Sequence, residues 1–270
     1  MKTLVVLSDL HANSTVGLSK PDVVLDDGDK VSASIARRWL YWTYADILEK
    51  VKTKARGDLY GVLNGDLIEL DAKNRSIQTI AKDTETARQM SIDVLEPFFD
   101  ICKGVYVIRG TEAHTGKSAI AEEAIARNFD NSIQNPDTGN YSWWHLPLEL
   151  DGVKMDIAHH PKGAGSGRPM NSQTGVDRIA SDALFTYAND GLVPPHLVIR
   201  SHLHGYKDSR DAYRTRAIIT PAMCLLTTYV YRIGINISNP VGAILIYCDA
   251  GKYHVEPLIY PVRRTEWQVI

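Results

Sequence analysis

The chain has 270 residues, 44% of them apolar and 23% charged, with 30 basic against 32 acidic side chains and a formal net charge of −2. A chain of this length buries roughly 70–75% of its unfolded surface, so its core needs neither disulfides nor a metal, and any metal it binds is functional. The balanced charge excludes a whole-surface electrostatic grip on nucleic acid or anionic lipid and leaves room only for a local basic patch.

Cys102, Cys224 and Cys248 lie far apart with no CxxC pair, which excludes a disulfide framework or zinc ribbon and fits a reducing, cytoplasmic setting. The apolar start, Leu4 to Leu7, is cut by Ser8-Asp9 well short of a signal sequence. The longest apolar stretch, Ala217 to Tyr231, is broken by Pro221 and too short to span a bilayer, so no membrane association is expected.

In chain order, Thr3 to Leu7 reads as a strand buried on both faces, followed by a long loop over 12–30 rich in Asp, Ser, Gly and Pro. Ser32 to Lys54 carries apolar residues at helical spacing, Leu59 to Asn64 is a second strand, and Ile77 to Cys102 a second helix broken at Pro97. Gly104 to Arg109 is the third strand, and Ala119 to Phe129 a helix. Trp143 to Leu150 and Val153 to Ala158 flank Asp151-Gly152 as a hairpin. A helix from about Gly175 to Asn189 leads to a strand at Leu197 to Arg200, with short strands at Arg216 to Thr220, Gly242 to Cys248 and His254 to Tyr260. These alternations predict an α/β fold of one domain over 1–270: a four-layer αββα sandwich of two mixed β-sheets flanked by helices. The motif-bearing part is 1–205, and 206–270 completes the second sheet or makes an interface.

The chemistry lies where strands end. Ser8-Asp9-Leu10-His11, Gly65-Asp66-Leu67-Ile68-Glu69, Gly110-Thr111-Glu112-Ala113-His114, His159-His160-Pro161 and Ser201-His202-Leu203-His204 each follow a strand. In α/β sheets the carboxyl ends of strands line one crevice, so the five segments converge. Carboxylates and imidazoles gathered in such numbers hold divalent cations of the Mn, Fe or Zn type. The bland reading of each piece alone is a loop acid or a solvated imidazole; five in succession argue against it.

This series resembles the calcineurin-like metallophosphoesterase superfamily, whose pattern is D-x-H, G-D-x-x-E/D, G-N-H-E/D, H and G-H-x-H. The match covers 9–204, about three quarters of the chain. The resemblance implies the four-layer sandwich and two divalent metal ions (Mn, Fe, Zn or Ni), with Mn the best support for activity in vitro. It places Asp9, His11 and His204 on one metal, Asp66 across both, and His159 and His202 on the second. It implies a metal-bridging hydroxide attacking a phosphoester in line, the two cations lying roughly 3.5–4 Å apart.

The sequence departs from the pattern in the third block, where Thr111 stands for Asn and the histidine comes late, at His114. Glu112 is expected to replace the amide ligand and His114 to act as general acid; the other reading of Thr111 to His114 is a turn capping a helix. Neighbours on a strand point to opposite faces, so only one of His159 and His160 is expected to face metal; the resemblance implies His159, the first histidine of the His-His-Pro run, and leaves His160 to face substrate or sit outside the shell. Thr111, Arg109 and Arg168 are further candidates for substrate contact, with the loop from Gly163 to Arg168 suited to cradling phosphate oxygens. His145, His196 and His254 read as packing or surface residues, and Trp39, Tyr41, Trp42 and Tyr44 as core of the crossover helix, with a substrate-stacking platform as the other reading.

The function expected first is hydrolysis of a phosphodiester in a nucleotide or nucleic acid. A phosphomonoesterase on a small molecule or protein comes second, and a catalytically silent scaffold of the same fold third. The oligomeric state is left open.

Overall fold

The computed structural model describes residues 1–72, 77–162, 172–232 and 239–263. In chain order the elements are β1 (Lys2–Leu7), β2 (Asp22–Val24), β3 (Lys30–Ser32), α1 (Ile35–Lys54), β4 (Asp58–Asn64), α2 (Thr84–Ile101), β5 (Gly104–Ile108) and the single turn α3 (Glu112–Thr115). There follow α4 (Ile120–Ala126), β6 (Ser142–Trp143), β7 (Leu146–Leu150), β8 (Val153–Ile157), α5 (Ser172–Asn189), β9 (Leu197–Arg200) and β10 (Lys207–Asp208). The chain closes with β11 (Arg216–Ile219), α6 (Thr228–Arg232), β12 (Val241–Asp249) and β13 (Lys252–Tyr260). Among the described residues no helix is long and apolar enough to cross a membrane.

One sheet has the order β13-β12-β1-β4-β5-β6 and the other β10-β11-β9-β8-β7, with β2 and β3 pairing separately inside the long loop. Side-chain alternation along the strands builds the layers. On β1, Val5 and Leu7 face α1, α2 and α4, packing with Leu40, Ile47, Leu95, Phe98 and Ile125. Leu4 and Val6 face the other sheet, meeting Leu146, Met155, Leu197, Ile199 and Ile218. The outer face of the second sheet, through Val198, Ala217 and Ile219, is covered by Val176, Ile179 and Ala180 of α5. The layers therefore run helix, sheet, sheet, helix, as expected.

Three details differ from the sequence reading. Helix α2 runs through Pro97 to Ile101, because the lost hydrogen bond lies on its exposed face while Phe98 and Phe99 anchor the last turn in the core. The segment from Trp143 to Leu150 is divided between sheets: β6 pairs with β5 in the first, and only β7 forms the hairpin with β8. After residue 205, β10 and β11 join the second sheet, but β12 returns antiparallel to β1 and carries β13 into the first.

Strands β1, β4 and β5 are mutually parallel, as are β8, β9 and β11. A buried polar chain ties their carboxyl ends together. Ser8 Oγ lies 2.7 Å from Thr220 Oγ1, which lies 2.7 Å from Ser201 Oγ, which accepts from Asn64 Nδ2 at 2.5 Å. The two sheets are thus joined at the edge where the five blocks emerge.

Candidate metal centre

The loops leaving this edge are unusually bent. Asp9, His11, Asp66, His202 and His204 all have φ between 46° and 70°, a left-handed backbone that costs a non-glycine residue free energy and gathers at functional sites. Main-chain bonds hold the bends: Asp9 N–H donates to Gly65 O and His11 N–H to Asp66 O, both at 2.9 Å. Gly65 and Gly110 let the loops touch. A Cβ on Gly65 would strike the His159 ring, and one on Gly110 the Asp66 backbone and carboxylate.

Two imidazole Nε2 atoms, those of His159 and His204, converge on two buried carboxylates, with His11 Nε2 beside the second. His159 Nε2 lies 3.1 Å from Asp66 Oδ2 and 4.0 Å from Asp9 Oδ1; His204 Nε2 lies 3.4 Å from Asp9 Oδ1 and 3.3 Å from His11 Nε2. Each ring is braced at its other nitrogen: His159 Nδ1 by Asn64 O at 2.7 Å, His11 Nδ1 by Glu69 Oε2 at 3.4 Å, and His204 Nδ1 by Cys224 Sγ at 3.3 Å. Outer partners of this kind fix the tautomer of metal-binding histidines. A carbonyl only accepts, so His159 Nδ1 carries the proton and a neutral ring turns its Nε2 lone pair onto the Asp66 carboxylate. Positive charge between them resolves that repulsion. Burial works against a proton there, yet the bond to Asp66 and the charges of Asp66 and Asp9 pull the His159 pKa up to about 9. Burial likewise works to raise the Asp9 and Asp66 carboxyls, and the surrounding imidazoles hold both below their ordinary range.

A cation serves the same end. Asp9 Oδ1 is buried without a hydrogen-bond partner, an orphan acceptor of the sort a metal satisfies. The donor atoms of Asp9, His11 and Asp66 lie within 4.8 Å of one another, as do those of His11, His204 and Cys224 and those of His159, His160 and His202. Carboxylate oxygens with imidazole nitrogens in this number fit divalent transition metals.

Beside the first group, Glu69 Oε2 lies 2.6 Å from His114 Nδ1, and the His114 ring packs edge-on against His11 at 4.6 Å. Burial works against a charged His114, but the Glu69 hydrogen bond and nearby carboxylates raise its pKa overall. Burial is likewise outweighed at Glu69, whose bonds to His11 and His114 bring it down to about 2. Beneath both loops, Glu122 Oε1 accepts from Leu67 N–H at 3.2 Å and Oε2 from Gly110 N–H at 2.5 Å. Burial and the Asp66 charge push its pKa up to about 8.

Asp9, His11, Asp66, His159, His202 and His204 are brought together with His114 close by. Other residues lie elsewhere than expected. Glu112 is exposed and its Oε1 accepts from Ser118 N–H at 3.0 Å, capping the turn after α3 rather than joining any donor group. Thr111 takes the central place instead: its N–H donates to Asp66 Oδ1 at 2.6 Å and its hydroxyl to Asp66 Oδ2 at 3.2 Å. His160 shares a side with His159, contrary to strand alternation, because β8 ends at Ile157 and both histidines lie in the bend beyond it. Arg109 turns away, its Nε donating to Ser142 Oγ at 2.8 Å and its guanidinium lying over the Trp144 ring. Arg168 and the rest of the loop from Gly163 lie outside the described residues. On α1, Tyr44 is core, while Trp39 and Trp42 are exposed. Cys224 and Glu122 were missed because neither stands in a block; only their buried contacts mark them.

No protein-family profile and no curated protein matches the chain. Solved structures do. A dimetal phosphatase from Danio rerio matches at 8% identity over 98% of each chain, with a TM-score of 0.46. A Vps29 single mutant from Entamoeba histolytica matches at 11% identity over 96% of this chain and 99% of that one, with a TM-score of 0.41. A metallophosphoesterase from Sphaerobacter thermophilus matches at 11% identity over 96% and 89%, with a TM-score of 0.36. The layer order and the placing of the blocks at strand ends are those that the resemblance to the calcineurin-like superfamily implied.

Proposed function

We propose that this chain is a dinuclear-metal-dependent phosphoesterase acting on a phosphodiester of a nucleotide or nucleic acid. The observation that carries the reading is the convergence of the His159 and His204 Nε2 atoms on Asp66 and Asp9, with His11 Nε2 against His204 and each ring braced from behind. Asp9, His11 and His204 would hold one cation, His159 and His202 the other, with Asp66 serving both. Divalent cations bound there supply an acidified water and neutralise phosphoryl oxygens.

The chain's own part is positioning and proton transfer. Glu69 fixes His114 through Nδ1 and, against burial, raises its pKa, so the Nε2 side of the ring is the one that offers a proton to the leaving oxygen. The order diester before monoester is supported by the arginines. Arg109 is tied to Ser142, and Arg200 to Asp156 at 2.6 Å, so neither offers the extra cation that suits a dianionic monoester. Three unpaired buried cysteines support a reducing, cytoplasmic setting.

Hydrolysis of bis-p-nitrophenyl phosphate and p-nitrophenyl phosphate, measured side by side with Mn²⁺, tests the proposal. The diester is expected to be preferred, a chelator to abolish turnover with the far-UV circular dichroism unchanged, and His114→Ala to slow turnover roughly 10²-fold or more. A monoester preference overturns the order of substrates. Two bound ions without turnover of either overturn the enzymatic reading in favour of a scaffold.

A further inference from the structure

Thr111 leaves the second position one donor short of the superfamily pattern, and the groups around its hydroxyl show what fills the gap. Thr111 Oγ1 lies 3.2 Å from His202 Nδ1, 3.3 Å from His160 Nε2 and 3.5 Å from His159 Nε2, besides Asp66 Oδ2 at 3.2 Å. A hydroxyl has one proton to give and two lone pairs to receive. With its proton on Asp66, it accepts from at most two of three rings, so one imidazole nitrogen has no partner at that oxygen.

The three nitrogens lie within 4.8 Å of one another. Metal–nitrogen bonds of about 2.0–2.1 Å gather such a set through small ring rotations. The rings are already grouped, with centroids 4.9 Å apart for His159 and His160, 4.9 Å for His160 and His202, and 5.2 Å for His159 and His202. Neither other candidate competes: Glu112 is committed to Ser118, and a neutral hydroxyl is a weak donor beside imidazole.

We propose that His160 is the third imidazole ligand of the second ion, replacing the missing amide oxygen, and that this position selects a zinc-, nickel- or iron-type cation over manganese or magnesium. Three nitrogens with one carboxylate oxygen favour borderline cations, whereas an oxygen-rich shell suits the harder ones. The inference rests on the dinuclear centre proposed above and assigns the identity of one of its ligands and the class of its metal.

The test uses the full chain with ¹⁵N-labelled histidine, stripped of metal and titrated with Zn²⁺ without substrate. The His160 Nε2 resonance, assigned through His160→Gln, is expected to move to the metal-bound position together with those of His159 and His202. Calorimetry on His160→Gln is expected to show the second Zn²⁺ weakened by more than the roughly 10- to 100-fold that loss of an outer partner costs, with the first unchanged. Its preference for Zn²⁺ over Mn²⁺ at that position falls at least as far. His160 is exposed, so the variant should fold, and circular dichroism checks that it does. Two ions bound with the His160 resonance unmoved overturn this inference alone and leave His160 to substrate. Failure to bind any ion overturns the dinuclear centre as well.

Discussion

The two donor groups meeting at Asp66 are made differently. On one side Asp9 and His11 are buried, their backbone is locked in left-handed bends, and Glu69 and Cys224 stand behind His11 and His204. On the other, His159 alone is buried and braced, by the Asn64 carbonyl, while His160 is exposed and both it and His202 meet at the Thr111 hydroxyl. The first group is set before anything binds, because backbone and outer partners leave its rings little freedom. The second has one buried, braced ring and two, His160 and His202, that share one hydroxyl and must turn slightly to bind an ion together. On the proposed dinuclear reading, that contrast predicts a first position whose donors need little rearrangement and a second whose rings must turn before they bind.

Asp66→Asn should erase the contrast. This carboxylate is fully buried between the two donor groups and, on the proposed reading, serves both ions, so its loss removes the charge that both groups surround. Metal content is expected to fall well below two ions per chain, and diester turnover at least roughly 10³-fold. Retention of two tightly held ions by the variant would show that Asp66 is not shared.

Cys224→Ala sharpens the contrast. Removing the sulfur behind His204 frees that ring, and the cost expected for an outer partner is roughly 10- to 100-fold in metal affinity. Stepwise Zn²⁺ calorimetry should place that loss on the first ion only, with Cys224→Ser recovering part of it. Equal losses at both positions would mean that Cys224 acts through packing.

The layered fold and the meeting of the five blocks could be read in advance, since both follow from periodicity and from which residue types end a strand. The rest turns on contacts the sequence does not carry. Whether His160 joins His159 depends on β8 ending at Ile157 rather than a residue later, a boundary no local preference fixes. Glu112 had the right chemistry beside the right residue, but the turn of α3 sends its carboxylate to Ser118. Cys224 and Glu122 act across long separations, through contacts to His204 and to the Leu67 and Gly110 amides. Glu69 belonged to a recognised block, yet its hold on both His11 and His114 appears only once two loops lie side by side.

Asp208 offers the mildest probe of the two positions, because it braces the loop that carries both His202 and His204. That loop sends His202 to one group and His204 to the other, then enters β10, where Asp208 pairs with Arg216 of β11 through two bonds of 2.9 and 2.6 Å and accepts from the Tyr206 hydroxyl at 2.8 Å. Burial would raise the Asp208 carboxyl, but the Arg216 bonds outweigh it and hold its pKa below the ordinary range. A carboxyl lowered in the folded state contributes stability that is complete above its unfolded pKa, near pH 4, and lost as pH falls through the folded value. Asp208→Asn should therefore cost roughly 1–3 kcal/mol in urea unfolding at neutral pH, a gap that begins to narrow as pH falls below about 4 and closes below the folded value. Its effect on metal should be small and equal at both positions, since His202 and His204 loosen together. A selective loss of either ion would mean that β10 holds one histidine and not the loop.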